Sequence, residues 1–272
     1  MRTPDFLIVG AMKAGTTTLF RDIGTHPGIF VPAEKEPNVL RDDRPRDAMV
    51  KDYGELFSRA RPDQLCGEAS TDYTKRPIYT GIASRARELC GAGLKVVYIT
   101  RDPVGRMVSQ YLHELQNGRI AMSFSEAIRC EARFIDTTRY EWQIAPWIEL
   151  FGQKNVLMLS LDEYSADRER YAREVVKFVG LDPDSTPAID PDSRANVAGE
   201  AKKLESPLLN SLLGSSLYQR RIKPMIPADL RERLRRKLLP WKELPEVDVS
   251  DDDRAYIETM LSAKPPFDMI VA

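Results

Sequence analysis

Short apolar runs alternate along the chain with stretches in which apolar residues recur every three or four positions. The runs cover residues 6–9, 94–100 and 155–160, with the sequences FLIV, LKVVYIT and NVLMLS. Continuous apolar runs of this length are typical of strands buried on both faces of a parallel sheet. The stretches between them, such as residues 103–117, have the spacing of amphipathic helices. This alternation predicts an α/β fold with a doubly wound parallel sheet and its ligand at the carboxyl ends of the strands.

The first junction, at residues 5–23, has the sequence DFLIVGAMKAGTTTLFRDI. Gly10 and Gly15 allow the backbone to approach a ligand closely, and the helix that follows opens on three threonines. A helix start presents unpaired N–H groups and a positive dipole end, so the junction predicts a phosphate cradle. The predicted architecture is therefore a P-loop-like three-layer sandwich, with a central parallel sheet and helices on both faces.

The lysine of this loop is displaced from its usual position. A nucleotide-binding P-loop has the pattern GxxxxGK[ST], whereas Lys13 here precedes Gly15. An ATP or GTP enzyme places the later lysine on the β- and γ-phosphates and adds Mg²⁺. A lysine within the loop would lie near the bridging oxygen of a shorter anhydride. A P-loop kinase or NTPase nevertheless remains an alternative.

A second junction follows the strand at residues 94–100, with the pattern R-D-P-x-x-R-x-x-S-x-Y. Asp102 suits a helix N-cap and Pro103 the first helical position. Ser109 then lies on the helix face of Asp102 and Gly105, along which Arg101 can reach, so a guanidinium and a hydroxyl could bind one phosphate. A Walker-B aspartate fits less well, because Arg101 would place a positive charge where Mg²⁺ belongs.

Together these motifs resemble the sulfotransferases that use 3′-phosphoadenosine 5′-phosphosulfate (PAPS), most nearly the branch that sulfates carbohydrate hydroxyls and amines. The resemblance covers most of residues 4–163 and fades after that. It implies PAPS as co-substrate, adenosine 3′,5′-bisphosphate as product and no metal requirement. It implies that Lys13 stabilises the leaving group. The implied donor-binding residues are Lys13, Ala14, Gly15, Thr16, Thr17 and Thr18 at the 5′ end, and Arg101, Ser109 and Arg194 at the 3′-phosphate.

The same resemblance implies a general base at Glu36. Transfer to an alcohol or sugar needs such a group, since the hydroxyl must lose its proton as the new S–O bond forms. Glu34 competes for this role, and both acids could instead be solvated loop charges. Asn38 stands where some relatives have a histidine, which weakens any transfer of their acceptor preference.

The segment GEASTDY, at residues 67–73, resembles a family segment at the acceptor cleft. Glu68, Ser70 and Tyr73 are therefore candidate substrate-binding residues, although a strand end with a capped turn explains them equally well. Ala69 stands where heparan-type relatives often have a lysine. His113 is a further candidate for contact with the acceptor, the alternative being a histidine on the helix surface. His26, beside Pro27 and Gly28, is predicted to be a turn residue bonded to backbone.

Composition narrows the class of protein further. With 272 residues and a formal net charge of −1, we expect one domain and no nucleic-acid partner. No stretch reaches the length of a transmembrane helix, and the first strand begins almost at Met1, so we expect no membrane span or signal peptide. Cys66, Cys90 and Cys130 lack metal-ligand spacing and predict reduced, buried thiols in a cytoplasmic, bacterial-type protein.

The C-terminal part is less informative. Residues 200–242 are strongly basic and have a leucine seam, which predicts an amphipathic helix with a solvated charged face. The alternative is a cover for the acceptor cleft that attracts an acidic or lipid-linked acceptor. A non-catalytic protein that binds polyanions through this segment is the second rival function. The expected acceptor is a glycan, a glycolipid or a small-molecule alcohol.

Overall fold

The computed structural model describes residues 2–190, 202–204 and 241–265. Its centre is a five-stranded sheet in the order β2-β3-β1-β4-β5, in which every neighbouring pair is parallel. The strands are β1 (Phe6–Gly10), β2 (Ile29–Phe30), β3 (Leu65–Ala69), β4 (Lys95–Thr100) and β5 (Val156–Ser160). All five carboxyl ends therefore lie along the same edge of the sheet, as the sequence predicted.

Helices cover this sheet and connect its strands. They are α1 (Thr16–Ile23), α2 (Arg46–Leu56), α3 (Ile82–Cys90), α4 (Pro103–Gln116), α5 (Phe124–Cys130), α6 (Arg133–Asp136), α7 (Tyr140–Phe151), α8 (Leu161–Ala166), α9 (Arg168–Phe178) and α10 (Asp251–Ser262). Helix α1 packs with α9, and α3 packs with α7. The predicted sandwich is confirmed. A short antiparallel pair, β6 (Lys202–Leu204) and β7 (Trp241–Glu243), lies apart from the sheet.

Strand β1 is the centre of the core. Its four apolar side chains have no exposed surface, because β3 and β4 flank the strand and helices cover it. Phe6 pairs with Gly67 of β3, and a Cβ atom on Gly67 would lie only 2.0 Å from the Phe6 ring. A second apolar cluster joins α4, α5, α6 and α10 around Met107, Phe134 and Ile257. This cluster fixes α4, the helix that carries Ser109.

Two predictions about packing were wrong. The strand at residues 155–160 was predicted to be buried, but β5 is an edge strand and Met158 is 41% exposed. Cys130 is exposed, since it ends α5 at the surface, whereas Cys66 is buried.

Several predictions fall on residues outside the described ranges. Arg194 does so, and so does most of the basic segment 200–242. Whether residues 1–272 form a single domain stays a prediction. Across the residues that are described, no helix combines the length and the apolar character needed to cross a bilayer.

Candidate active site

The loop between β1 and α1 forms an open cradle at a helix start. Gly15 is the N-cap of α1, with φ 86°, and supplies no side chain to cap the first N–H groups. The Ala11 N–H donates to the carbonyl of Ile99 at 2.7 Å and ties the loop to β4. A Cβ atom on Gly10 would lie 2.1 Å from Thr74 Oγ1, so only glycine fits there. The N–H groups at this end of α1 are thus available to an anion.

Lys13 occupies the left-handed region of backbone space, with φ 67°. A non-glycine residue is strained in this region, and such strain is concentrated at functional sites. Burial lowers the pKa of the Lys13 ammonium, and the positive charge of Arg101 lowers it further. The Arg101 Nη1 group donates to the carbonyl oxygen of Lys13 at 3.3 Å. The structure therefore brings together the two cations that the sequence assigned to separate phosphates.

The start of α4 is organised differently from that of α1. Asp102 caps it, accepting at Oδ2 from the Gly105 N–H at 2.6 Å. The guanidinium of Arg101 lies over Gly105, where a Cβ atom would be 3.3 Å from Arg101 Nε. Ser109 follows one turn later on the same face. Because Asp102 occupies the cap, an anion at this junction would be held by the side chains of Arg101 and Ser109.

Arg106, the second arginine of the motif, has a structural role. It is fully buried and donates to Thr138 Oγ1 at 2.7 Å and to the carbonyl of Phe134 at 2.9 Å. These bonds attach α4 to α6 and to the residues that follow it. The Tyr140 hydroxyl, which the sequence did not single out, donates to the carbonyl of Arg101 at 2.8 Å and fixes that backbone.

Glu36 lies at the carboxyl end of β3, where its N–H donates to the carbonyl of Ala69 at 2.9 Å. Its φ of 63° also lies in the left-handed region. Lys35 Nζ lies 2.7 Å from Glu36 Oε1, and the Thr71 hydroxyl donates to Oε2 at 3.1 Å. The Glu36 side chain is 37% exposed, so an acceptor can reach it. Glu34, its competitor as a base, is an exposed residue on the same loop.

Glu68, Ser70 and Tyr73 do not line a cleft, contrary to the prediction that they contact substrate. Glu68 and Ser70 are 0% exposed and Tyr73 is 3% exposed. The Ser70 and Tyr73 hydroxyls donate to the Glu68 carboxylate at 2.7 and 2.6 Å, and the Tyr53 hydroxyl donates to it at 3.1 Å. Burial raises the pKa of Glu68 to about 7 against the effect of these hydrogen bonds. Sequence reasoning missed Tyr53, which reaches the cluster from α2.

His113 faces the same site. Burial, together with the positive charges of Lys13, Arg119 and Lys75, lowers its pKa to about 4. The negative charge of Glu36 raises the pKa of His113. His113 is therefore within electrostatic reach of both predicted catalytic residues, Lys13 and Glu36. His26 is the predicted turn residue: its Nδ1 accepts from the Gly28 N–H at 3.0 Å, and its Nε2 lies 3.1 Å from the carbonyl of Asp182.

A cavity of ≈ 330 Å³ lies beside α1. Thr17, Phe20 and Arg21 of that helix line it, together with Val31 and Lys35 from the loop that precedes Glu36.

Comparison with known proteins identifies a sulfotransferase domain over residues 3–196. Among curated proteins, the chain is 26% identical over 188 residues to mouse heparan sulfate glucosamine 3-O-sulfotransferase 3B1, a match that covers 65% of this chain and 46% of that protein. It is 22% identical over 247 residues to rat carbohydrate sulfotransferase 15, covering 66% of this chain and 44% of the relative. The chain thus matches less than half the length of these two relatives.

A solved structure also resembles this fold. The crystal structure of a sulfotransferase from Alicyclobacillus acidocaldarius superposes with a TM-score of 0.60 and 26% sequence identity. The superposition covers 71% of this chain and 88% of the other. The sulfotransferase domain match over residues 3–196 spans both strand-to-helix junctions.

Proposed function

The chain belongs to the sulfotransferase domain family, and from this we propose that it transfers a sulfuryl group from PAPS to an acceptor hydroxyl. The products would be the sulfated acceptor and adenosine 3′,5′-bisphosphate. The observation that carries the proposal is the contact between Arg101 and Lys13, which joins two anion-binding junctions at neighbouring strand ends. Such a pair suits a nucleotide with separate 5′ and 3′ phosphates.

The cradle residues would hold the donor's 5′ end. The hydroxyls of Thr16, Thr17 and Thr18 and the N–H groups from Gly15 to Thr17 would bind the 5′-phosphosulfate, with Ala14 holding the loop through its hydrogen bond to the Ala11 carbonyl. Arg101 and Ser109 would bind the 3′-phosphate. The glycine backbone and the uncapped start of α1 fit such a group. Arg194, the third predicted contact to the 3′-phosphate, lies outside the described residues and remains a prediction.

Glu36 and Lys13 would divide the chemistry between them. Glu36 accepts the proton of the acceptor hydroxyl while the new S–O bond forms. Lys13 stabilises the charge that develops on the 5′-phosphate oxygen as its bond to sulfur breaks. The Thr71 hydroxyl and Lys35 orient the Glu36 carboxylate. A sulfuryl group has less charge than a γ-phosphoryl group, so fixed cations can serve, and we propose that no metal is required.

For the acceptor we propose a chemical class and a binding position. Both curated relatives named above act on carbohydrates by their names, which supports a glycan or a related alcohol, free or lipid-linked. Ala69 and Asn38 replace groups that heparan-type relatives carry, which argues for a different or smaller acceptor. The acceptor is proposed to bind beside Glu36, with His113, which lies within electrostatic reach of Glu36 and Lys13, as a further contact. Three unpaired cysteines suit a reducing compartment, and we extend the proposal to the cytoplasm.

The test is sulfuryl transfer from ³⁵S-labelled PAPS to heparan sulfate, octyl glucoside and phenol, each with and without a metal chelator. We expect labelled product from at least one of them, unchanged by the chelator. Glu36→Gln should lower kcat by about 10²-fold while leaving affinity for adenosine 3′,5′-bisphosphate nearly intact. Full activity of this variant would remove the base assignment.

The same preparation separates the rival functions. A kinase or NTPase would be stabilised more by ATP with Mg²⁺ than by adenosine 3′,5′-bisphosphate in a thermal-shift assay. A polyanion-binding protein would bind heparin in a salt-sensitive way, would keep that binding in Lys13→Ala and would transfer no sulfate. We expect the bisphosphate to give the larger shift and Lys13→Ala to abolish most turnover.

A further inference from the structure

We propose that Glu68 is a positioning residue, which acts through Ser70 and Tyr73 to hold the loop that carries Glu36. The three residues are buried and contact one another, so they cannot bind acceptor directly. Each hydroxyl instead reaches the backbone of the loop at residues 36–40. The inference rests on the proposed function, because the position of the loop affects kcat only if Glu36 is the base.

The first link runs through Ser70. The Asn38 N–H donates to Ser70 Oγ at 3.1 Å, and Ser70 in turn donates its own proton to Glu68 Oε2 at 2.7 Å. Because the serine oxygen accepts the backbone N–H, its single proton is directed at the carboxylate. Glu68 thereby fixes the hydroxyl that fixes Asn38, two residues beyond the base.

The second link runs through Tyr73 in the same way. The Leu40 N–H donates to the Tyr73 hydroxyl at 3.1 Å, and that hydroxyl donates to Glu68 Oε1 at 2.6 Å. One buried carboxylate thus holds two backbone N–H groups of the loop through two relays. A chain of hydrogen bonds in a water-free interior keeps its geometry better than a contact exposed to solvent.

The loop needs this support because its conformation is strained. Glu36 and Asn38 both have positive φ, at 63° and 53°. Non-glycine residues remain in that region only where their surroundings over-determine them. The Asn38 side chain also donates to the carbonyl of Glu36 at 3.0 Å, so the position of Asn38 bears directly on the base.

Tyr53 provides a matched control. Its hydroxyl donates to Glu68 Oε1 at 3.1 Å from helix α2. Among the hydrogen bonds of the described residues, none joins Tyr53 to residues 36–40. Tyr53→Phe and Tyr73→Phe therefore each remove one buried hydroxyl from the same carboxylate, but only Tyr73→Phe also removes the acceptor of the Leu40 N–H.

The experiment compares Ser70→Ala, Tyr73→Phe and Tyr53→Phe by two readouts. The first is amide hydrogen exchange of the peptide containing Asn38 and Leu40, which needs no acceptor. The second is kcat with ³⁵S-labelled PAPS and the best acceptor of the panel above, together with calorimetric affinity for adenosine 3′,5′-bisphosphate. Melting temperatures show whether each variant folds. If Ser70→Ala does not fold, Tyr73→Phe alone tests the proposal.

We expect faster exchange and a kcat lowered by about tenfold in Ser70→Ala and Tyr73→Phe, with nucleotide affinity unchanged. Tyr53→Phe should keep both values within about twofold of the wild type. Wild-type exchange in Tyr73→Phe, wild-type kcat in that variant, or an equal loss in Tyr53→Phe would each overturn the proposal. Full activity of Glu36→Gln would instead refute the base assignment, and the exchange rates would still decide whether the Ser70 and Tyr73 hydroxyls on Glu68 hold the loop.

Discussion

Arg101 and Lys13 come from two different strand-to-helix junctions and are in direct contact, with Arg101 Nη1 3.3 Å from the carbonyl oxygen of Lys13. The contact crosses from the end of β4 to the loop after β1, two strands that pair in parallel. Arg101 therefore has two expected tasks, to bind the 3′-phosphate and to support the backbone of the lysine loop.

Arg101→Ala should weaken binding of adenosine 3′,5′-bisphosphate by about 10- to 100-fold, the scale of one lost hydrogen-bonded ion contact. Binding of adenosine 5′-phosphate, which lacks the 3′ group, should change much less. Isothermal calorimetry with both nucleotides measures the difference. Equal losses for the two would show that Arg101 acts only through the loop.

Lys13→Ala should lower kcat by about 10²-fold or more, because it removes a cation aimed at the charge that develops in the transition state. Lys51→Ala is the matched control, since Lys51 lies on α2 with a side chain that is 72% exposed. Initial rates with ³⁵S-labelled PAPS compare the variants. A Lys13→Ala enzyme as fast as the control would contradict the assigned role.

Glu68→Gln should change how stability depends on pH. The pKa of Glu68 is raised from 4.5 to about 7 in the folded chain. Between these values the native state holds a proton that the unfolded state has released, so the free energy of unfolding falls as pH rises. Glu68→Gln has no carboxyl group here and does not lose stability in this way. The melting temperature of the variant minus that of the wild type should therefore be larger at pH 8 than at pH 5. An equal difference at both pH values would be inconsistent with the raised pKa.

His113 should remain neutral through the working range of the enzyme. Its pKa is lowered to about 4 by burial and by nearby cations, so protonation would begin only in strongly acidic solution. NMR of the imidazole should show constant chemical shifts from pH 8 to pH 5.5. Lys13→Ala should raise the midpoint, because it removes one of those cations. A wild-type midpoint near 6.5 would contradict the geometry.

The parts that follow local rules could be predicted from the sequence. The continuous apolar run at residues 6–9 forms a fully buried strand, and Asp102 and Pro103 start α4 in the expected positions. Pro27 and Gly28 predict a turn at His26, and the Gly28 N–H does donate to the His26 ring there. In each case the residue's own chemistry and its immediate neighbours determine the outcome.

The parts that depend on distant contacts could not be predicted. The segment GEASTDY was compatible with a cleft or with a capped turn, and nothing in it shows that the Tyr53 hydroxyl, from α2, also donates to the buried Glu68 carboxylate. Nothing near Met158 in the sequence shows that β5 lies at the sheet edge. The contact between Arg101 and Lys13 joins residues 88 positions apart. Thr71, which donates to the proposed base from 35 positions away, was missed for the same reason.

The most direct measurement is a crystal structure with adenosine 3′,5′-bisphosphate bound. We expect Lys13 Nζ within hydrogen-bonding distance, about 3 Å, of the 5′-phosphate, with Arg101 and Ser109 at the 3′-phosphate. A structure in which Lys13 points away from the 5′ end, or in which Arg101 touches no ligand oxygen, would contradict it.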